Sequence, residues 1–178
     1  PVGKPFTVSA GITNGSFLDT QADENSHKNF VGRVGYNLLG GQIGASVYRG
    51  HSPNGLVMNR TGLDLEINRG PLLIQGEAAQ GYGRMSTATV PTFVNAESRG
   101  AYLTFAYQKA GSPRQPYLRL DTYDPDVDSA NDNYRRATVG YNYYLTGNTK
   151  LTVEYQAIQD ELRPNVDGNI GAQYQVSF

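Results

Sequence analysis

Three aspartates at alternate positions, Asp124, Asp126 and Asp128, with Asn131 and Asp132 just beyond, form the densest set of potential ligands in the chain. Hard carboxylate oxygens in that spacing suit a hard cation, Ca2+ above all. The sixth position of the run is Ser129 and the twelfth is Arg135, where a helix–loop–helix calcium loop needs glycine and glutamate. A solvated acidic loop is the favoured reading and calcium the weaker one. His27 and His51 are the only histidines, and there is no cysteine. The sequence therefore offers no thiolate metal site, no disulfide framework and no credible nucleophile with a base. Neither a phosphate-cradling glycine loop nor a set of metal ligands is present. We expect no enzyme and no cofactor.

A second set of residues is charged and regularly spaced: Arg33, Arg60, Asp64, Glu66, Glu77, Arg119, Asp121, Arg136, Lys150 and Glu154. Each sits in a run that alternates in period two. Charges arrayed on one face do physical rather than covalent chemistry. They can line a water-filled path and set its ion preference, or they can pair across strands and stiffen a wall. Both readings stay open at this point.

The elements that carry these charges are β-strands, because successive side chains of a strand point to opposite faces. The clearest stretch runs from Asn133 to Phe178. It reads YRRATVGYNYYL, a TGN turn, TKLTVEYQAIQ, a polar break, and GNIGAQYQVSF. Upstream, the same alternation recurs at about 5–14, 28–38, 42–50, 59–68, 72–82, 99–108 and 116–123, which makes ten strands in all. Runs of this length exceed the usual globular strand of about 5–6 residues and match the ~9–11 that a tilted strand needs to cross a bilayer. Longer connections are expected near 15–27, 51–57, 83–95, 125–132 and 161–167, and short turns near 39–41, 69–71, 109–115 and 146–148. Short turns on one side and longer loops on the other is the layout of an outer-membrane barrel.

Composition agrees without deciding. The 178 residues suit one domain, 1–178, and the net charge of -1 gives no nucleic-acid footprint. No apolar run is long enough for a transmembrane helix. Hydrophobic content is only 38%, but 21 Gly and 13 Tyr fit a barrel that hides its apolar half in alternation. The charged face must line the interior, since an Arg or Lys in mid-hydrocarbon costs about 2–4 kcal/mol. Tyr36, Tyr107, Tyr141 and Tyr143 fall near run ends, where aromatic girdles sit. A soluble barrel or sandwich, with the apolar face inward, is the alternative. Strand length, loop asymmetry and the terminal Phe178 favour the membrane.

The stretch GLDLEINRGPLLIQGE resembles a hairpin of the phosphate-selective porin O and P family. SAGITNG, RVGYN and GQIGASVYRG resemble the hairpins before it, and RRATVGYNYYLTGNTKLTVEYQ with the terminal aromatic resembles that family's last strands. Order and spacing carry the likeness together, over nearly the whole chain. The resemblance implies a bacterial outer-membrane porin, a sixteen-stranded barrel assembled as a homotrimer, of which this chain matches the C-terminal part. The family's N-terminal strands, its constriction loop and the basic residues behind its phosphate preference have no counterpart here.

The function expected is a passive channel for small hydrophilic solutes or ions, lined by the ten charged residues named above. The second reading is a non-conducting barrel serving as adhesin or anchor through its loops, and the third a soluble ligand-binding barrel. Expected partners are outer-membrane lipid and lipopolysaccharide, and both termini would be periplasmic. A His–Asp pair on the barrel rim would be a protease arrangement, but no acidic cluster around His27 or His51 supports it.

Overall fold

Every alternating run becomes a strand. The computed structural model describes residues 5–14, 28–38, 40–51, 57–86 and 93–177. The strands are β1 (Phe6–Asn14), β2 (Lys28–Leu38), β3 (Gly41–His51), β4 (Val57–Arg69), β5 (Leu72–Ser86), β6 (Phe93–Tyr107), β7 (Arg114–Asp124), β8 (Tyr134–Thr146), β9 (Thr149–Asp160) and β10 (Arg163–Val176). They form one antiparallel sheet of ten strands in chain order. Alternation fixes which face each strand presents, and short connections lay each strand beside the one just left. In the short links after β2 and β4 the backbone turns through the left-handed region at Gly40 (φ 79°) and Gly70 (φ 60°), where a side chain would be strained. Among the described residues, no helix is long and apolar enough to cross a membrane. The terminal Phe178 and His27 lie outside the described residues.

Two connections differ from the sequence expectation. β5 runs on to Ser86 and β6 begins at Phe93, with Gly83 paired to Ala96, so the link expected at 83–95 shrinks to 87–92. β10 begins at Arg163, and the link expected at 161–167 is a tight turn through Glu161 and Leu162. There Asp160 Oδ1 accepts from the Leu162 N–H at 3.0 Å, a side-chain turn of the Asx kind. A register shift between Arg163 and Val166 absorbs the mismatch. In both cases residues read as loop are held by backbone ladder bonds, which do not depend on side-chain type. The alternation of long and short connections is correspondingly less regular than the sequence suggests.

Burial is inverted relative to a soluble sandwich. On the apolar face Val8, Leu63, Val139 and Ile170 are 61–82% exposed. On the opposite face Thr138 and Thr152 are buried. Among the described residues only Met58 and Ala106 are buried apolar side chains. Among the described residues no second layer covers the apolar face, and the side chains that pack together are mostly polar. The expected girdle tyrosines Tyr36, Tyr107, Tyr141 and Tyr143 all stand on the exposed face, with Phe6 tilted against Tyr36 at 4.9 Å between ring centroids.

Candidate functional site

Directly paired residues of neighbouring strands share a face, so the strand register sorts the charged residues into rows. One row runs Gly44, Asp64, Glu77, Tyr102, Asp121, Arg136 from β3 to β8. The next row toward the short-turn end runs Glu66, Gln75, Thr104, Arg119, Thr138, Gln156 from β4 to β9. Below it Tyr117, Gly140 and Glu154 lie abreast. Arg60 stands opposite Tyr48 and Gly81, Arg33 opposite Ser9 and Ser46, and Lys150 opposite Tyr144 and Gln175. All ten sequence-predicted charges therefore share the polar face.

Within that face the charges form two separate clusters. Asp64 and Glu77 are directly opposed on adjacent strands, a like-charge pair that is unfavourable by itself. Arg33 reaches across β3 to grip Asp64 with a two-pronged ion pair, Nη2 donating to Oδ1 at 2.6 Å and Nη1 to Oδ2. It passes over Gly44, where a Cβ would lie 2.5 Å from Arg33 Nη2 and 2.6 Å from Asp64 Oδ2. In the second cluster Asp121 Oδ1 accepts from Arg119 Nε at 2.9 Å and from Arg136 Nη2 at 3.2 Å, while Oδ2 accepts from Arg136 Nε at 3.3 Å. The Arg119 guanidinium also stacks 3.9 Å from the Tyr102 ring centroid, a cation–π contact. Glu66 accepts from Gln75 Nε2 at 3.0 Å, and Arg60 lies 6.0 Å from the Tyr48 ring centroid. Among the described residues neither Glu77 nor Lys150 has an ion-pair partner within 4.0 Å. Hollows open on this face among the described residues. One of about 590 Å³ is walled by Arg60, Glu77, Tyr102, Asp121, Tyr134 and Arg136. Another, of about 530 Å³, meets Gln75, Tyr117, Arg119, Lys150 and Glu154.

Nearer the short turns a neutral hydrogen-bonded layer crosses β7 to β9. Asn142 Nδ2 and Tyr144 Oη both donate to Gln115 Oε1, at 2.9 and 3.0 Å, and Thr152 Oγ1 donates to Asn142 Oδ1 at 2.6 Å. Just above it the Tyr117 hydroxyl donates to Glu154 across β8, and Gln156 Nε2 donates to the other carboxylate oxygen at 2.6 Å. The Tyr117 ring passes over Gly140, so that a Cβ at 140 would fall inside the ring's contact distance. Gly140→Val is expected to push the ring off, break the Tyr117–Glu154 bond and cost about 1–3 kcal/mol, the usual range for overpacking. Urea titration of the folded protein in micelles would read this as a lowered midpoint. Tyr117→Phe, which keeps the ring and loses only the hydroxyl, should shift it less.

Sequence reasoning places Tyr102 and Tyr117 on the polar face but gives them no role, and it misses the gaps at Gly44 and Gly140 that let long side chains cross a strand. The available signal was glycine at a polar-face position inside a strand, which marks close approach by a neighbour. The acidic run behaves differently from a cation loop. Asp124 ends β7 on the apolar-face parity and binds Arg99, with Arg99 Nη2 to Asp124 Oδ2 at 3.0 Å. Asp126 is occupied within the loop, accepting from Asp128 N at 3.2 Å and Ser129 Oγ at 2.9 Å. Among the described residues no three His, Cys, Asp or Glu side chains converge on a metal position.

No family model matches the chain, and no curated protein does. Solved structures do match. One is a porin refined at 1.8 Å, 14% identical, superposing over 94% of this chain with a TM-score of 0.67. The chain spans 57% of that porin's length. At this identity the likeness speaks to architecture, and it agrees with the ten-stranded up-and-down sheet: this is a porin-like β-barrel fold.

Proposed function

We propose that the chain forms the wall of a bacterial outer-membrane porin, a passive aqueous channel for small hydrophilic solutes and ions. The observation that carries this reading is where charge falls on the two faces. On the apolar face, Lys28, Arg49, Glu97, Arg99, Asp124 and Arg135 lie toward the loop end, and Arg69 and Arg114 at the turn end. Between them that face carries Leu63, Leu65, Leu103, Phe105, Leu118 and Val139 and no charged residue. The polar face carries Asp64, Glu77, Arg119 and Glu154 in mid-strand. Along β8 about eight residue steps separate Arg135 from Tyr143, about 20 Å of height for a strand tilted by ~40°. That is close to the ~25 Å apolar band of outer-membrane barrels. The apolar face then meets lipid and the polar face lines water. Arg33, Arg60, Asp64, Glu66, Glu77, Arg119, Asp121, Arg136, Lys150 and Glu154 are pore-lining. The short turns lie in the periplasm, as do both ends of the chain.

The motifs around GLDLEINRGPLLIQGE support assignment to the phosphate-selective porin O and P family, and with it a homotrimer. The phosphate preference itself is not part of the reading. The lining charges are Arg33, Arg60, Arg119, Arg136 and Lys150 against Asp64, Glu66, Glu77, Asp121 and Glu154, five against five. A balanced wall of this kind should conduct in proportion to bulk salt conductivity, with a cation-to-anion permeability ratio near one. Planar-bilayer recording of the purified protein, with reversal potentials across a salt gradient, reads both quantities. A steady absence of channels, or solubility without detergent, would overturn the proposal.

A further inference from the structure

On the polar face, the hollow beside Arg60 and Glu77 has a floor of small residues. Gly62, Ala79 and Gly100 lie abreast from β4 to β6, and the same row continues into Tyr123 and Tyr134. In the row toward the loops Arg60 stands opposite Gly81, and Gly81 opposite Ser98. In the row toward the turns Glu77, Tyr102, Asp121 and Arg136 follow one another. The space between these walls is about 590 Å³, within the ~300–1,000 Å³ of ordinary ligand sites. Small residues by themselves make a space and not a site. The side chains around them are more specific.

Of the polar-face charges in these walls, Asp121 and Arg136 are engaged with each other. Arg60 and Glu77 are not so engaged. Among the described residues the Arg60 guanidinium has only the Tyr48 ring, 6.0 Å away, and the Glu77 carboxylate has no hydrogen bond and no ion pair within 4.0 Å. Their Cα atoms are two rows and one strand apart, about 14 Å, with the small floor between them. The hydroxyls of Ser98, Tyr102, Tyr123 and Tyr134 also make no hydrogen bond among the described residues. The open groups are thus a guanidinium that only donates, a carboxylate that only accepts, and hydroxyls that do both. The charges cancel, Arg60 and Arg136 against Glu77 and Asp121. An ion would satisfy one pole and be repelled by the other. A zwitterion would use Arg60 and Glu77 and leave the hydroxyls to water. A neutral ligand whose polar groups each donate and accept uses all of them. The aromatic rings then add apolar surface for its C–H side. Tyr123 leans over the floor, where a Cβ on Gly100 would lie 3.3 Å from its Cδ2.

We infer that this hollow is a saturable site for a neutral ring sugar in the path of the solute. The sugar packs its C–H surface on Tyr123 and Tyr134. Its hydroxyls accept from Arg60 and donate to Glu77, and the glycine–alanine floor makes room for the ring. The inference rests on the proposed channel and narrows its solute class. The lower hollow shares Arg136 with this one and continues toward the turns among amides and hydroxyls, Gln75, Thr104, Gln115 and Asn142, so a sugar leaving the site meets groups of the same kind.

The test is titration of the protein, purified in an amine-oxide detergent, with maltotriose, read by saturation-transfer NMR. Block of the ion current by maltotriose in planar bilayers is the second readout. Saturable binding is expected, with transfer to the sugar's C–H protons. Sorbitol, as rich in hydroxyls but without a ring, should bind more weakly, and inorganic phosphate should not displace the trisaccharide. The double variant Tyr123→Leu/Tyr134→Leu should weaken binding about tenfold, as loss of two aromatic contacts does. Ala79→Leu fills the floor while keeping every ring and charge, and it too should weaken binding, which decides the matter if the double variant fails to fold. Equal binding by all forms would overturn the site, as would displacement by phosphate, which would make the hollow an anion site. Conducting channels with no saturable sugar binding would overturn the site and leave the pore reading standing. Tyrosine-dependent sugar binding by a protein that forms no channels would sink the pore reading and leave the site standing.

Discussion

Replacing Asp121 with alanine should both loosen the wall and turn the proposed channel toward anions. Asp121 is 13% exposed and holds the Arg119 and Arg136 guanidiniums on one carboxylate, Arg119 Nη2 at 2.8 Å and Arg136 Nη2 at 3.2 Å. Its removal leaves two like charges side by side with no counter-ion. Breaking a fully buried pair costs about 3–5 kcal/mol. These guanidiniums are about one-third exposed, so water screens part of the repulsion, and about 1–3 kcal/mol is the reasonable expectation. Urea titration in micelles would show it as a lowered midpoint. In the bilayer, the same substitution changes the net charge of the two rows that hold Arg119 and Arg136. Reversal potentials should move in the anion direction, and the double variant Arg119→Ala/Arg136→Ala should move them the opposite way. Asp121→Asn, which keeps the shape and some acceptor capacity, should reproduce the selectivity shift with a smaller stability loss. A stability loss with unchanged reversal potentials would mean that the cluster stiffens the wall without facing the conducting path.

Much of this arrangement was legible in the sequence, and for a definite reason. Period-two alternation is a one-dimensional record of which side chains share a face. The ten charges could therefore be assigned to one face before any coordinate was known, and every strand was found. Strand ends were less legible. Arg163 to Asp167 reads as loop because proline and polar residues break its alternation, yet β10 includes it: ladder bonds come from the backbone, and Asp160 supplies the turn. The clusters themselves were not legible. Strand spacing says that Asp64 and Glu77 are neighbours only once the register is known, and register depends on turn geometry as well as pattern. The contacts that skip a strand, Arg33 over Gly44 and Tyr117 over Gly140, involve residues 31 and 37 apart in sequence. Glycine on the polar face was visible, but what passes over it was not. Asp124 shows the same limit from the other side. It was grouped with an acidic loop, whereas its parity with Leu118 and Leu120 puts it on the apolar face beside Arg99.

The sharpest discriminating experiment concerns the two ends of the sheet. β1 and β10 each pair with one neighbour only among the described residues. Lipid does not tolerate such an open edge, because every unpaired backbone group there costs several kcal/mol. In the membrane setting proposed above, the edges must meet each other or meet further strands. The chain superposes on a porin at a TM-score of 0.67 while spanning 57% of that protein's length, and on the proposed reading its sheet is part of a larger ring. A sheet curved for a larger ring does not bring its tenth strand back to its first. The chain has no cysteine, which gives a clean background for disulfide mapping. Ser9→Cys combined in turn with Asn169→Cys, Gly171→Cys or Gln173→Cys should give no cross-link between β1 and β10 in the folded protein. Val153→Cys with Ala172→Cys, directly paired between β9 and β10, should cross-link and serve as the positive control. A ring completed by further strands is wide enough for the charged rows to face water, and the conductance argued above follows. An efficient β1–β10 disulfide would mean the reverse. A ring of ten strands has a narrow interior that side chains largely fill, the Arg33–Asp64 and Arg119–Asp121–Arg136 clusters would become its packing, and the channel reading would give way to a closed barrel.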